Sequence, residues 1–285
     1  MEELAQVIGT SANKSLAPAT IAAYSSMRKR FEDFASTLSV DRSHLGKLRN
    51  LFLAHLINEN QLKVLQMAIA ALNFFYGRLE GGEAELQKLL IDSAKKETPV
   101  VVHKRKASEE DIDKVIDWAL NTDTIKATED CCIILLLFAA FLRISEAAAV
   151  RKEHLESKED GLWWLHIPKS KTDQCKKGTT VAFKLQGRRL VLWSKFLQSL
   201  ADKSRNQFIF APSSTRAPST DTLRKRIRNV LRCSGLRDKG LTSHSFRGGA
   251  ATAALRRGVS SEDIRRVGRW KSSSSILNYL DPTPI

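Results

Sequence analysis

The chain has 285 residues, 42% of them hydrophobic, which is enough to bury proper cores and suits two domains. Its net charge is +15: 15 basic and 11 acidic residues up to Lys106 leave +4 there and +11 beyond it. The composition argues against a membrane span, a metal cluster and a disulfide framework. The apolar run from Ile133 to Leu142 is too short to cross a bilayer. Met1-Glu2-Glu3-Leu4 lacks the basic and apolar regions of a signal peptide. Cys131, Cys132, Cys175 and Cys233 show no paired metal spacing and read as reduced intracellular thiols. The positive field suits a polyanion, bound with steep salt dependence. A basic protein with solvated lysines has the same charge, so charge says nothing about chemistry.

Residues 1–16 are polar and read as a flexible arm. From Pro18, Ile21, Tyr24, Met27, Phe31 and Phe34 recur at three- and four-residue steps, the stripe of an amphipathic helix. Similar patterns over Leu45–Ile57, Leu62–Tyr76 and Glu83–Ile91 predict a compact helical bundle over residues 17–95, broken at Gly81-Gly82 and ended by Glu97-Thr98-Pro99. Residues 96–106, with Pro99 and His103-Lys104-Arg105-Lys106, read as a basic linker. That cluster suits phosphate contact, nuclear import or plain solvation alike. Ser108, followed by Glu109, Glu110 and Asp111, caps a new helix and opens a second domain, 107–285. This domain is predicted mainly helical with a small antiparallel β element, Leu162–Ile167 and Thr179–Phe183, joined by a long basic loop. A buried helix is expected over Cys131–Leu142, with Ser145 capping the next. Further helices are expected over Leu190–Leu200, Thr220–Cys233, Ser245–Arg257, Ser261–Val267 and Ser273–Leu280.

Six residues of the second domain combine into a phosphoryl-transfer set: Arg143, Lys171, His244, Arg247, Trp270 and Tyr279. A tyrosine can act as a covalent nucleophile. Two arginines can clamp a phosphate through forked, charge-assisted hydrogen bonds. A lysine and a histidine can move the protons. Taken singly, each has a plain alternative: Arg143 as a structural ion pair with Glu146, Lys171 as a solvated loop lysine, and Tyr279 as a packed terminal aromatic. His244 and Arg247 are three apart, on one helical face, so both can address one phosphate.

The order and settings of these segments closely resemble the catalytic domain of the tyrosine recombinase (phage integrase) family, from Arg143 to Tyr279. That family uses an arginine, a hairpin lysine, His-x-x-Arg, a histidine or tryptophan, and then the tyrosine. Trp270 stands nine positions before Tyr279, the family's spacing, and tryptophan there is the Cre-like variant of the set. Ser170-Lys171-Thr172-Asp173-Gln174, His244-Ser245-Phe246-Arg247 and Gly268-Arg269-Trp270-Lys271-Ser272 look still more like recombinases of eukaryotic mobile elements of the DIRS and Crypton types. The N-terminal bundle resembles the family's core-binding (SAM-like) DNA-binding domain.

The resemblance implies a site-specific recombinase that cleaves and rejoins DNA through a 3′-phosphotyrosine on Tyr279. Arg143 and Arg247 would neutralise the phosphorane oxygens, and Lys171 would protonate the departing 5′ oxygen. His244 would assist deprotonation of Tyr279, Trp270 would pack against and hydrogen-bond the phosphate, and Glu146 would orient the site. Neither ATP nor a metal cofactor need be invoked. The implied partners are double-stranded DNA carrying a specific site and further copies of the chain, a dimer on each site and a tetramer in the synapse. The implied location is intracellular, with DNA: the nucleus in a eukaryote, the nucleoid in a prokaryote. Many relatives carry a helix after the tyrosine that docks on a neighbouring subunit. Leu280–Ile285 cannot form one, so either other surfaces join the copies, including handover of the Tyr279 helix itself, or the chain is trimmed.

For reading DNA, the Thr220–Cys233 helix buries Leu223, Ile227, Val230 and Leu231 and leaves Arg224, Lys225, Arg228 and Arg232 beside that stripe, for base edges or for backbone phosphates. Arg28-Lys29-Arg30 is a further candidate for phosphate contact in the bundle. Two alternatives stay open: a nicking and resealing enzyme of the type IB topoisomerase kind, and a non-catalytic DNA-binding protein derived from a recombinase. The intact six-residue set argues against the second.

Overall fold

The computed structural model describes residues 15–38, 41–97, 105–168, 178–211 and 216–272. Most of the arm, the hairpin loop with Lys171 and Cys175, and the terminal segment with Tyr279 lie outside them, as does 98–104 of the linker. The chain divides into two compact units, with the boundary between Val101 and Val102.

The first unit holds helices α1 (Pro18–Ser36), α2 (Leu45–Asn58), α3 (Leu65–Tyr76) and α4 (Gly81–Glu97). Pro18 sits in the first turn of α1, where its missing N–H costs nothing. The apolar stripe meets its partners in one core of Met27, Phe31, Leu48, Phe52, Leu56 and Leu72. The stretch from Leu62 is not one helix: Leu62–Val64 forms a 3-10 turn before α3 begins. Gly81-Gly82 opens α4 instead of separating it from the chain before; the break falls at Gly77, whose left-handed φ of 81° ends α3. Buried Arg49 donates to Gly77 O (3.0 Å) and Asn73 Oδ1 (2.6 Å), and Asn50 reaches Glu83, tying α2 to the start of α4.

The second unit is built around α6 (Ile125–Ala139), which is buried from Cys131 through Phe138 on every face. It packs against α5 (Glu109–Thr122), α8 (Gly187–Ser199), α9 (Thr220–Cys233) and α10 (Ser243–Arg256). Each large side chain buried there contributes about 1.5–3 kcal/mol, so α6 is a rigid post for whatever follows it. The cap at Ser108 is where the sequence places it, and two further caps add to it. Ser108 and Asp111 exchange bonds at the start of α5, Thr124 caps α6, and Ser219 caps α9.

After α6 the chain departs from expectation. The helix stops at Ala139, Phe141 turns left-handed (φ 51°), and Arg143, not Ser145, occupies the N-cap position of the short helix α7 (Ile144–Ala148). The reason is Glu146, three residues on, whose carboxylate accepts from Arg143 N at 2.8 Å and leaves Ser145 inside the helix.

The sheet has three antiparallel strands, one more than the sequence predicts: β1 (Leu155–Ser157), β2 (Leu162–Ile167) and β3 (Thr179–Lys184). Leu155 faces Leu165, and Ile167 faces Thr179. Alternation buries Leu165, Ile167, Val181 and Phe183 on one face, which fixes the register of β2 on β3. β1 escapes notice because three residues carry too little periodicity. The last described helix is α11 (Ser261–Gly268), capped by Ser260.

Gly249 brings α10 against the incoming chain. A Cβ there would collide with the Ala107 carbonyl, whose own N–H donates to Ser245 O at 3.0 Å. Gly249→Ala would gain about 1 kcal/mol at an open helical position. Here the clash reverses the sign, and a loss of about 1–3 kcal/mol is expected in urea unfolding. A stabilised variant would contradict the close contact.

Candidate active site

Glu146 is 2% exposed and stands where the α6–α7 turn, α10 and the end of α11 converge. Its Oε1 accepts from Arg143 Nη1 at 2.6 Å. Its Oε2 accepts from Arg269 Nη2 at 2.7 Å and lies 3.7 Å from Arg247 Nη1. Three guanidinium groups from three separate segments therefore share one carboxylate. Burial alone would raise the pKa of that carboxyl. The charge of Arg269 opposes burial most strongly, followed by the backbone N–H and charge of Arg143, and the balance holds it below the usual carboxylate range.

Arg247 is 1% exposed. Its Nη1 donates to Phe141 O at 2.6 Å and its Nη2 to Gly268 O. The left-handed turn at Phe141 aims that carbonyl inward, so the irregular end of α6 is what receives the arginine. Trp270 covers the other side, with Arg247 Cζ 4.5 Å from its ring centroid. Phe141 meets the same indole edge-on at 6.3 Å. Gly268 is the only residue type that fits beneath, since a Cβ there would enter the Trp270 ring.

Of the predicted set, Arg143, Arg247, Trp270 and the supporting Glu146 are thus brought together, and the plain alternative for Arg143, an ion pair with Glu146, is present as a contact. His244 lies on the first turn of α10 and is exposed, whereas Arg247 one turn later is buried. The two stand one turn apart on α10 with different surroundings, Arg247 being packed against Trp270. Lys171 and Tyr279 lie outside the described residues.

Arg269 stands in the sequence only as part of the Gly268-Arg269-Trp270-Lys271-Ser272 segment, with no role of its own. Its role in the cluster comes from a backbone turn that no periodicity announces. Among the described residues no group of acidic, histidine and cysteine side chains is arranged to hold a metal ion. No described helix is long and apolar enough to cross a membrane.

On α9 the predicted stripe of Leu223, Ile227, Val230 and Leu231 is buried, and Arg224, Lys225, Arg228 and Arg232 are exposed. Arg224 pairs with Asp221 (2.6 Å) and Arg232 with Asn229 (2.8 Å). Arg226 instead turns inward to Asp130 and Phe210 O, which anchors α9 on α6. In the first unit Arg28, Lys29 and Arg30 are exposed on α1. Arg28 pairs with Glu32 (2.6 Å), and Arg30 donates to Gln61 Oε1 (2.7 Å).

Residues 106–284 match the model of the phage integrase family, a stretch that contains every element of this cluster. The chain belongs to the phage integrase family. It is 27% identical over 185 residues to the recombinase Cre of Escherichia phage P1, covering 60% of this chain and 54% of that protein, so it spans about half the length of this curated relative. Among solved structures it resembles a lambda integrase tetramer bound to a Holliday junction (TM-score 0.62, 15% identity, covering 98% of this chain and 76% of that one). It also resembles XerH site-specific recombinase in a post-cleavage complex with a palindromic difH substrate (TM-score 0.62, 14% identity, 91% and 75%). At 14–15% identity the likeness to these two solved structures is one of fold.

Because Glu146 carries its charge among three cations, removing it strands them. Glu146→Ala is expected to destabilise the second unit by about 3–5 kcal/mol, read from denaturant midpoints at unchanged slope. Its folded pKa is depressed, so the stability it contributes is present above its unfolded pKa and is lost as pH falls through the folded one. The gap between wild type and variant should accordingly close as the solution is acidified, and an undiminished gap would be the contrary result.

Proposed function

We propose that this protein is a site-specific DNA recombinase that cuts and rejoins strands through a 3′-phosphotyrosine at Tyr279. The observation that carries the reading is the convergence of Arg143 and Arg247 on Glu146, with Trp270 packed over Arg247, within the stretch matched to the family. A phosphodiester undergoing attack gathers negative charge on its non-bridging oxygens, and a preorganised pair of guanidinium groups in a water-poor site stabilises that charge most effectively. Arg143 is already partly open, at 17% side-chain exposure, while Arg247 stands behind it at 1%, held in place against Trp270.

The chemistry balances without an external energy source. The Tyr279 oxygen bonds to phosphorus as the bond to the 5′ oxygen breaks. The phenolic proton leaves with help from His244, and Lys171 gives a proton to the 5′ oxygen. Phenol has an ordinary pKa near 10, so neighbouring positive charge is needed to ionise it at neutral pH. Attack by a different 5′ hydroxyl reverses the step and exchanges strands.

The partner is duplex DNA carrying a recombination site, read by α9 in the major groove and held by Arg28, Lys29 and Arg30 in the first unit. Two copies on a site and four in the synapse complete the assembly, a reading supported by the lambda integrase tetramer. The working location is wherever that DNA lies inside the cell, and a mobile element is the natural setting.

A nicked duplex that traps covalent adducts tests the reading. Tyr279→Phe should abolish the adduct. Arg143→Ala should slow its formation by about two to three orders of magnitude, with a much smaller loss of DNA affinity. Equal losses of binding and cleavage would leave Arg143 a binding role only. Relaxation of plasmids that lack a target site, without recombinant products, would favour a topoisomerase. For α9, Arg228→Ala should lower the slope of log affinity against log salt by about 1 if it contacts a phosphate, and relax base preference if it contacts a base edge.

A further inference from the structure

Arg269 occupies a place in the chain that ordinarily goes to glycine. It follows α11 in a Schellman turn, with Arg269 N donating to Arg266 O and Trp270 N to Arg265 O, both at 3.1 Å. Its φ is 56°, a left-handed conformation costing roughly 1–2 kcal/mol for a residue with a side chain. Four of the other helix ends and turns in this chain meet that demand with glycine: Gly77, Gly235, Gly240 and Gly258. Here the position carries a long cation instead. Its side chain is 8% exposed and is directed away from solvent, donating from Nη2 to Phe141 O (3.0 Å) and Glu146 Oε2 (2.7 Å). Burial lowers the guanidinium pKa and the Glu146 charge opposes that, yet a guanidinium stays protonated in any protein setting.

We propose that Arg269 is a positioning residue for strand cleavage: it fixes Glu146 as an ionised tether that holds Arg143 and Arg247 at the reacting phosphate. The inference rests on the recombinase reading above. The groups facing Glu146 are Arg143 from the α6–α7 turn, Arg247 from α10 and Arg269 from the end of α11. Arg269 touches this set three times. Its side chain binds Oε2, its side chain also binds the Phe141 carbonyl that holds Arg247, and its own carbonyl lies 3.4 Å from Arg143 Nη2. It is also covalently joined to Trp270, the cover of Arg247. Removing the guanidinium leaves Glu146 Oε2 with Arg143 N at 2.8 Å and only the distant Arg247. The carboxyl then loses its strongest charge partner, takes up a proton more readily, and releases the arginines it orients.

The test uses the full chain on a nicked, adduct-trapping duplex, with Arg269→Gly and Arg269→Lys beside wild type. Glycine preserves the left-handed turn and removes the guanidinium, and lysine keeps a cation within reach of the carboxylate. The expected result is an about tenfold or larger fall in single-turnover adduct formation for Arg269→Gly near neutral pH, with DNA affinity altered by less than about threefold. The acid limb of its rate profile should move to higher pH, and Arg269→Lys should recover part of the rate. Arg269→Gly matching wild type at every pH would overturn the proposal. So would a loss of rate with an unmoved profile and no recovery by lysine, which is the signature of structural support alone. Absence of adduct in wild type itself would overturn the recombinase reading beneath it and is distinct from either.

Discussion

One buried carboxylate organises this protein's candidate site. A lone ionised carboxylate in a dry interior costs several kcal/mol, and a lone guanidinium costs the same order. Together they remove each other's penalty, and with three guanidinium groups on Glu146 the cluster keeps an excess of positive charge in a place where water cannot screen it. That excess is what an anionic phosphate would meet. The same arrangement explains why Glu146 stays ionised despite its burial.

The cluster is held by main chain as much as by side chains. Arg247 is secured by two carbonyls, Phe141 O and Gly268 O, each displayed at an irregular helix end. Both ends are anchored by bulk: α6 is buried on every face, and Trp270 lies directly over Gly268. Gly249 lets α10, the helix of His244 and Arg247, rest on the backbone at Ala107. Three elements distant in sequence are therefore fixed to within a side chain's reach, the precision a phosphoryl-transfer site requires.

Much of this was legible in the sequence because its signals are local. The cap at Ser108 and the period of α1 and α9 identify themselves. So does the β2–β3 pair, whose six-residue strands alternate cleanly. What escaped was set by particular side-chain contacts and backbone turns. Arg143 displaces Ser145 from the cap position because Glu146 reaches back to its N–H. Gly81-Gly82 begins a helix because Asn50 holds the start of α4 through Glu83. The family pattern announces Arg143, Arg247 and Trp270. It does not announce that Arg247 lies beneath Trp270, nor that Arg269 adopts a turn in which its side chain faces inward. Those facts depend on φ values at Phe141 and Arg269 that no composition or spacing encodes.

The central claim is that Glu146 is an ionised hub for three guanidinium groups. Following the carboxyl carbon resonance of Glu146 in glutamate-labelled protein through an acid titration tests it most directly. A midpoint clearly below that of the exposed glutamates, with the Arg143, Arg247 and Arg269 side-chain signals shifting together through it, is the predicted result. A midpoint at or above the ordinary range, or arginine signals indifferent to the titration, would contradict it.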